Sequence, residues 1–123
     1  MLPASHRLTE GESFRHTVRS GRRAGARSLV VHLAAPSDLD ESQVRVGFVV
    51  SRAVGNAVVR NRVRRRLRHL TGEQLDRLPR CSTLVVRALP ASASASYAEL
   101  RADLVRCLQR VVPQTTETVT TRA

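Results

Sequence analysis

Between Ala57 and Leu70 the chain reads AVVRNRVRRRLRHL, six arginines and one asparagine spread through fourteen positions. A guanidinium stays charged at any physiological pH, and its planar fork matches two oxygens of a phosphate at once, so the chemistry on offer is capture of a polyanion. Wound as a helix at ~100° per residue, Val59, Val63, Leu67 and Leu70 fall within ~80° of one another and form a stripe expected to pack on a sheet. Arg60, Asn61, Arg64, Arg65 and Arg68 spread over the opposite arc, and Arg62 and Arg66 flank the other edge of the stripe. An ordinary solvated helix mixes its cations with glutamates four residues away, yet no acid stands between Gly47 and Gly72. Arg60/Arg64, Arg64/Arg68 and Arg62/Arg66 are like-charge pairs, each unfavourable by roughly 0.2–0.5 kcal/mol. Arg60 and Arg62 also oppose the positive end of the helix. Stability alone would not select this arrangement, whereas phosphates replacing counterions would relieve it.

Other reactive side chains are dispersed. His6, His16, His32 and His69 are far apart in the sequence, and Asp38, Asp40 and Glu41 cluster only in a turn-rich loop, PSDLDES, that reads as a solubilising connection. A protein nuclease would need grouped carboxylates for metal ions or a histidine pair for acid–base work. No catalytic side chain and no protein-bound metal are therefore expected. Cys81 and Cys107 lie in apolar contexts without zinc-ligand or disulfide-framework spacing and read as buried, reduced thiols.

The whole chain repeats the message of this segment. Its 123 residues carry a formal net charge of +11 with a pI near 11.7, and every one of the 21 cations is arginine. That length suits a single domain, taken as residues 1–112 with 113–123 as a disordered tail. Two Phe, one Tyr and no Trp are too few for an aromatic stacking platform, so affinity should rest on phosphate and 2′-hydroxyl contacts to shaped RNA. Charge alone leaves DNA open, although nothing supplies the dimer seam of a typical operator-binding protein. A small ribosomal protein that scaffolds RNA is equally compatible with the composition. No apolar run approaches the ~18 residues of a membrane span, and the N-terminus lacks a signal-peptide core, so a cytoplasmic location without membrane contact is expected.

The elements that must hold the arginines follow from pattern. Thr9 and Glu12 form a capping box for a short helix over about Glu10 to Ser20, with Phe14 and Val18 on one face and Gly21 as its stop. Arg22 to Arg27 reads as a basic connector, Ser28 to Ala34 and Arg45 to Ser51 as strands. Gly55 and Asn56 supply a turn and an N-cap for the arginine helix, and Gly72 marks its end or a bend. Glu73 to Leu78 adds a helical turn, Ser82 to Leu89 a third main strand, and PASASAS from Pro90 to Ser96 a low-complexity linker. Leu100, Leu104, Leu108 and Val111 mark one face of a last helix, Tyr97 to Val111, which Pro113 stops. The order predicts an α+β fold, a two-layer sandwich of helices on a small mixed sheet.

The run GFVVSRAVGNAVVRNRVRRRLRH, Gly47 to His69, closely resembles the signature region of the protein subunit of bacterial ribonuclease P, with Arg60-Asn61-Arg62 at the most diagnostic position. The likeness extends over about Leu8 to Val112. It implies a ribonucleoprotein endonuclease in which a large RNA carries Mg²⁺-dependent chemistry and removes the 5′ leader of precursor tRNA, the protein assisting by binding. It also implies that Arg52, Arg60, Asn61, Arg62, Arg64, Arg65 and Arg68 contact the catalytic RNA. Phe14, Val18, Val30 and His32 match the lining of a cleft for the single-stranded leader, and a left-handed strand–helix–strand crossover is implied as well, an exception to the usual hand. The partners so implied are the catalytic RNA and the precursor leader, with no DNA. The chain departs from the family pattern at Ala53, where many members have Lys, and at Val18 and His32, places often taken by aromatics.

Overall fold

The computed structural model describes residues 22–34, 44–78 and 82–112. Four strands form one sheet in the order β1-β2-β4-β3, with β1 at Arg22–Gly25, β2 at Leu29–Ala34, β3 at Arg45–Val49 and β4 at Thr83–Ala88. β1 and β4 each run antiparallel to β2, whereas β3 and β4 are parallel, with Val46 beside Leu84 and Phe48 beside Val86. A parallel pair cannot be closed by a tight turn, and the connection between these two carries the helix α1, Ala57–Glu73. A second helix, α2, spans Tyr97–Val111 and starts at a capping box in which the Ser96 hydroxyl accepts from the Glu99 amide and the Glu99 carboxylate accepts from the Ser96 amide.

One hydrophobic core joins the layers. Leu29, Val31 and Leu33 of β2, Val46 of β3 and Leu84 and Val86 of β4 meet Val63, Leu67 and Leu70 of α1 and Leu100, Leu104, Leu108 and Val111 of α2. Each fully buried side chain of this kind is worth about 1.5–3 kcal/mol of transfer free energy. Cys107 sits within the core, where burial pushes its thiol pKa up and keeps it in the unreactive form. The carboxylate of Asp103 accepts from the amide (3.1 Å) and hydroxyl (2.6 Å) of Ser28 and so pins α2 to the turn between β1 and β2.

Three expectations need correction. The basic connector is the edge strand β1: Arg22 to Gly25 lack β-forming residues, but β2 supplies the pairing partners and Ala24 a buried anchor. The arginine helix ends at Glu73, one residue past the Gly72 expected to mark its end. Its apolar stripe lies chiefly against α2 and the segment after β4, while α2 is the helix laid across β1 and β2. The low-complexity linker is structured: Pro90–Ala93 forms a 3₁₀ turn with Ser92 fully buried, its hydroxyl donating to the Leu89 carbonyl at 2.6 Å. Leu75–Arg77 supplies the helical turn expected before Leu78, also as 3₁₀. The helix over about Glu10 to Ser20, the acidic loop, Cys81 and the tail lie outside the described residues.

Candidate nucleic-acid interface

The arginine helix owes its placement to two residues before it. Gly55 has φ +157°, and a Cβ built there would meet the Val59 side chain at 2.9–3.0 Å, so only glycine lets the chain turn this closely under α1. Asn56 follows in an extended conformation, and its side-chain oxygen accepts the Val59 amide at 3.0 Å. That bond satisfies one of the orphan donors of the first turn, which holds no acidic residue to offset the helix dipole. Arg52 is exposed in the turn immediately upstream, its carbonyl accepting the Gly55 amide at 3.1 Å.

Along α1 the arginines divide by partner. Asn61 and Arg65 are exposed, and Arg60, Arg64 and Arg68 half-buried, on the arc away from Val63, Leu67 and Leu70. Arg64 donates to the Asn61 side-chain oxygen at 3.3 Å, and the buried Nε of Arg60 has no hydrogen-bond partner among the described residues. On the other edge Arg62 donates to the Ala93 carbonyl at 2.9 Å and Arg66 to the Ala95 carbonyl at 3.3 Å. The two side chains thus tie α1 to the segment that leads into α2. Sequence reading placed Arg62 with the polyanion contacts and missed this second task, since the acceptors are backbone carbonyls some thirty residues downstream that carry no residue-type signal.

Beyond Arg66 the surface dips into a depression of about 600 Å³ lined by Asn61, Arg64, Arg65, Arg66, Arg68, His69 and Tyr97. The rings of His69 and Tyr97 lie 6.1 Å apart, inclined at 49°. Glu73 bounds this end, 3.5 Å from His69 Nε2 and 4.0 Å from Arg101 Nε. Among the described residues no three of His, Cys, Asp and Glu gather closely enough to hold a metal ion.

The two described members of the leader-cleft set stand elsewhere. Val30 and His32 alternate with Leu29, Val31 and Leu33 and so face away from the two helices, sharing that face with Val85, Arg23 and Arg87. Phe14 and Val18 lie outside the described residues. His32 is buried, and its Nδ1 has no hydrogen-bond partner among the described residues. Burial first, and the charges of Arg87 and Arg23 next, hold its pKa below the ordinary histidine value, so the ring is neutral at pH 7. Two faces of the molecule thus carry arginine: a helix arc dense in it, and a sheet face where Arg23 and Arg87 flank an apolar strip. No helix among the described residues is long and apolar enough to cross a membrane.

Known proteins with these features were found by both sequence and structure. The family model described as Ribonuclease P matches residues 2–112. The ribonuclease P protein component of Nocardioides sp. is 58% identical over 116 residues, covering 94% of this chain and 99% of its own, and that of Acidothermus cellulolyticus is 50% identical over 111 residues, covering 90% and 92%. Among solved structures, the Staphylococcus aureus RNase P protein superposes with a TM-score of 0.75 at 21% identity over 88% of this chain and 98% of that one. The Thermotoga maritima protein gives 0.74 at 22% identity over 87% and 98%. At such identity the structural likeness speaks for the α+β fold, and the sequence relatives speak for the family.

Proposed function

Because the chain belongs to the ribonuclease P protein family, as the protein component of that endoribonuclease, we propose that its α1 arc binds the catalytic RNA and its outer sheet face the precursor leader. The observation that carries the first half is the helix with no acid before its last residue, Glu73, and with Arg60, Arg64, Arg65 and Arg68 on the side away from the core. Each guanidinium–phosphate contact releases a counterion, so the helix supplies affinity through charge and register through its rigid spacing. Arg52 and Asn61 extend the same surface at its N-terminal end, and Arg62 adds to it with the donors not committed to Ala93.

The second half rests on the match of Val30 and His32 to the family's cleft lining and on their place between two exposed arginines, Arg23 and Arg87; both strip side chains are themselves buried. Phosphates of an unpaired leader would lie beside the exposed Arg23 and Arg87 and its bases along the edge of the strip, with Phe14 and Val18 completing the lining. The smaller ring and the valine give less stacking surface than aromatics would, at a cost within the ~1–3 kcal/mol that a stacked base contributes.

The polypeptide contributes binding and no catalytic group. On this reading Mg²⁺ belongs with the RNA; among the described residues near α1, Glu99 is engaged in its capping box and Glu73 stands between His69 and Arg101. No step is derived through the ion.

The test is cleavage of a 5′-extended precursor tRNA in moderate Mg²⁺ by the cognate catalytic RNA, with and without the protein. Strong stimulation by the protein together with no cleavage by the protein alone is the expected result. Cleavage by the RNA-free protein would remove the assignment of catalysis to the RNA, and absence of stimulation would leave only an RNA-scaffolding role.

A further inference from the structure

We infer that the depression between α1 and the first turn of α2 is a single-nucleotide subsite, in which Tyr97 stacks on an unpaired base of a bound RNA while Arg65 and Arg68 take its flanking phosphates. The inference rests on the RNA-binding reading of α1 and adds to it a contact that reads a base rather than a backbone.

Composition argues against a platform of aromatics, and the structure instead brings the chain's one tyrosine to the arginine helix. Tyr97 is 37% exposed, one of two large hydrophobic side chains among the described residues left open to this degree, the other being Val58. An exposed aromatic ring in a concave, arginine-lined surface has the two properties that single-stranded RNA sites combine: a π-face any base can cover, and cations for the phosphates on either side. His69 is inclined to Tyr97 at 49°, so the two rings open as a wedge and do not close on each other as a parallel stack. The histidine is held beside Glu73, which also stands near Arg101, and that arrangement gives the wedge a fixed wall.

The arginine stems supply the apolar floor, as long side chains do when the charged head reaches outward. The Arg66 head is turned onto the Ala95 carbonyl, which closes the side of the depression toward the core. Arg65 is exposed and Arg68 half-buried on the helix face that continues into the RNA-binding arc, so a nucleotide lifted out of the bound RNA remains connected to it. The N-terminus of α2 is not the anion site, because Ser96 and Glu99 already cap it.

The absence of tryptophan and the single tyrosine make the site self-reporting, because intrinsic emission from the chain comes from Tyr97. Titration of the full-length protein with an oligouridylate should quench that emission, whereas inorganic polyphosphate of equal charge should bind and leave it nearly unchanged. Equal quenching by the two anions would overturn the subsite. With the cognate catalytic RNA, Tyr97→Ala should weaken binding about tenfold and Tyr97→Phe much less, since the ring and not the hydroxyl stacks. Equal losses in the two variants would also overturn it. If Tyr97→Ala binds like the parent while Arg64→Ala binds more weakly, the subsite falls and the RNA-binding helix stands; if neither variant weakens binding, both fall.

Discussion

Arg62 and Arg66 stand on the edge of α1 that meets the Ala93 and Ala95 carbonyls, whereas Arg60, Arg64, Arg65 and Arg68 stand on the arc turned from the core. The residue type is the same, and so is the helix. The first edge satisfies backbone acceptors at the entry to α2 and so contributes to holding the two helices together. The second arc places like charges at i,i+4 spacing, Arg60/Arg64 and Arg64/Arg68, at a cost to the isolated protein that bound phosphate would offset. An arginine count along a helix therefore does not measure its nucleic-acid surface; the neighbours of each guanidinium do.

The comparison is broken most severely by removing the arc. Arg60, Arg64 and Arg68 replaced together by Ala should flatten the salt dependence of catalytic-RNA affinity by about 2 in log–log slope, at ~0.7 per lost contact, and lower the affinity at low salt by orders of magnitude. Circular dichroism should show the fold retained, with thermal stability equal or slightly raised as like-charge pairs disappear. Unfolding of this variant would instead give the arc a structural role.

Gly55→Ala affects both edges, because it disturbs the turn that orients all of α1. Left-handed strain of roughly 1–3 kcal/mol, added to the Val59 overlap, should appear in denaturant unfolding together with weaker RNA binding. A fully stable Gly55→Ala protein would show that the turn relaxes without moving the helix.

The inner edge gives a smaller and opposite signature. Arg62→Ala and Arg66→Ala should each cost about 0.5–1.5 kcal/mol of stability, toward the lower end because both side chains are half-exposed, while Arg65→Ala costs nothing measurable. Urea unfolding of the three variants side by side decides whether the two edges differ. Equal stabilities would erase the distinction drawn from the Ala93 and Ala95 carbonyls.

The smallest effect separates α1 from the sheet face. The sheet face carries His32, whose folded-state pKa is lowered by burial and by Arg87 and Arg23. The unfolded chain therefore binds a proton more readily than the folded one. Stability contributed by the neutral ring is fully present above pH 6.5 and is lost as pH falls from 6.5 toward the lower folded value. Thermal melts between pH 7.5 and about 5 should show this loss in the parent and a shallower one in His32→Gln. Identical slopes would mean that the ring is not desolvated as the fold implies.

Much of this molecule was legible from residue order because its signals are local. The stripe Val59, Val63, Leu67, Leu70 gave α1 and its buried face, Asn56 its start, and the leucines at 100, 104 and 108 gave α2. Strands rich in valine announced themselves at β2, β3 and β4. The same locality explains the misses. RRAG has no strand pattern and became β1 only because β2 offered an open edge, and PASASAS has the composition of a linker but acquired order from Leu89, Ser92 and the two arginines that donate to its carbonyls.

By itself the sequence determined the charge, the family signature and the amphipathic helix that concentrates arginine, since each depends on residue types at short spacing. Only the tertiary structure decided which arginines are committed to the protein's own backbone, that His32 is buried between two cations, and that Tyr97 meets His69 across 28 positions of chain. Those outcomes depend on which distant segments a core brings together, and no periodicity along one segment encodes the identity of its neighbour.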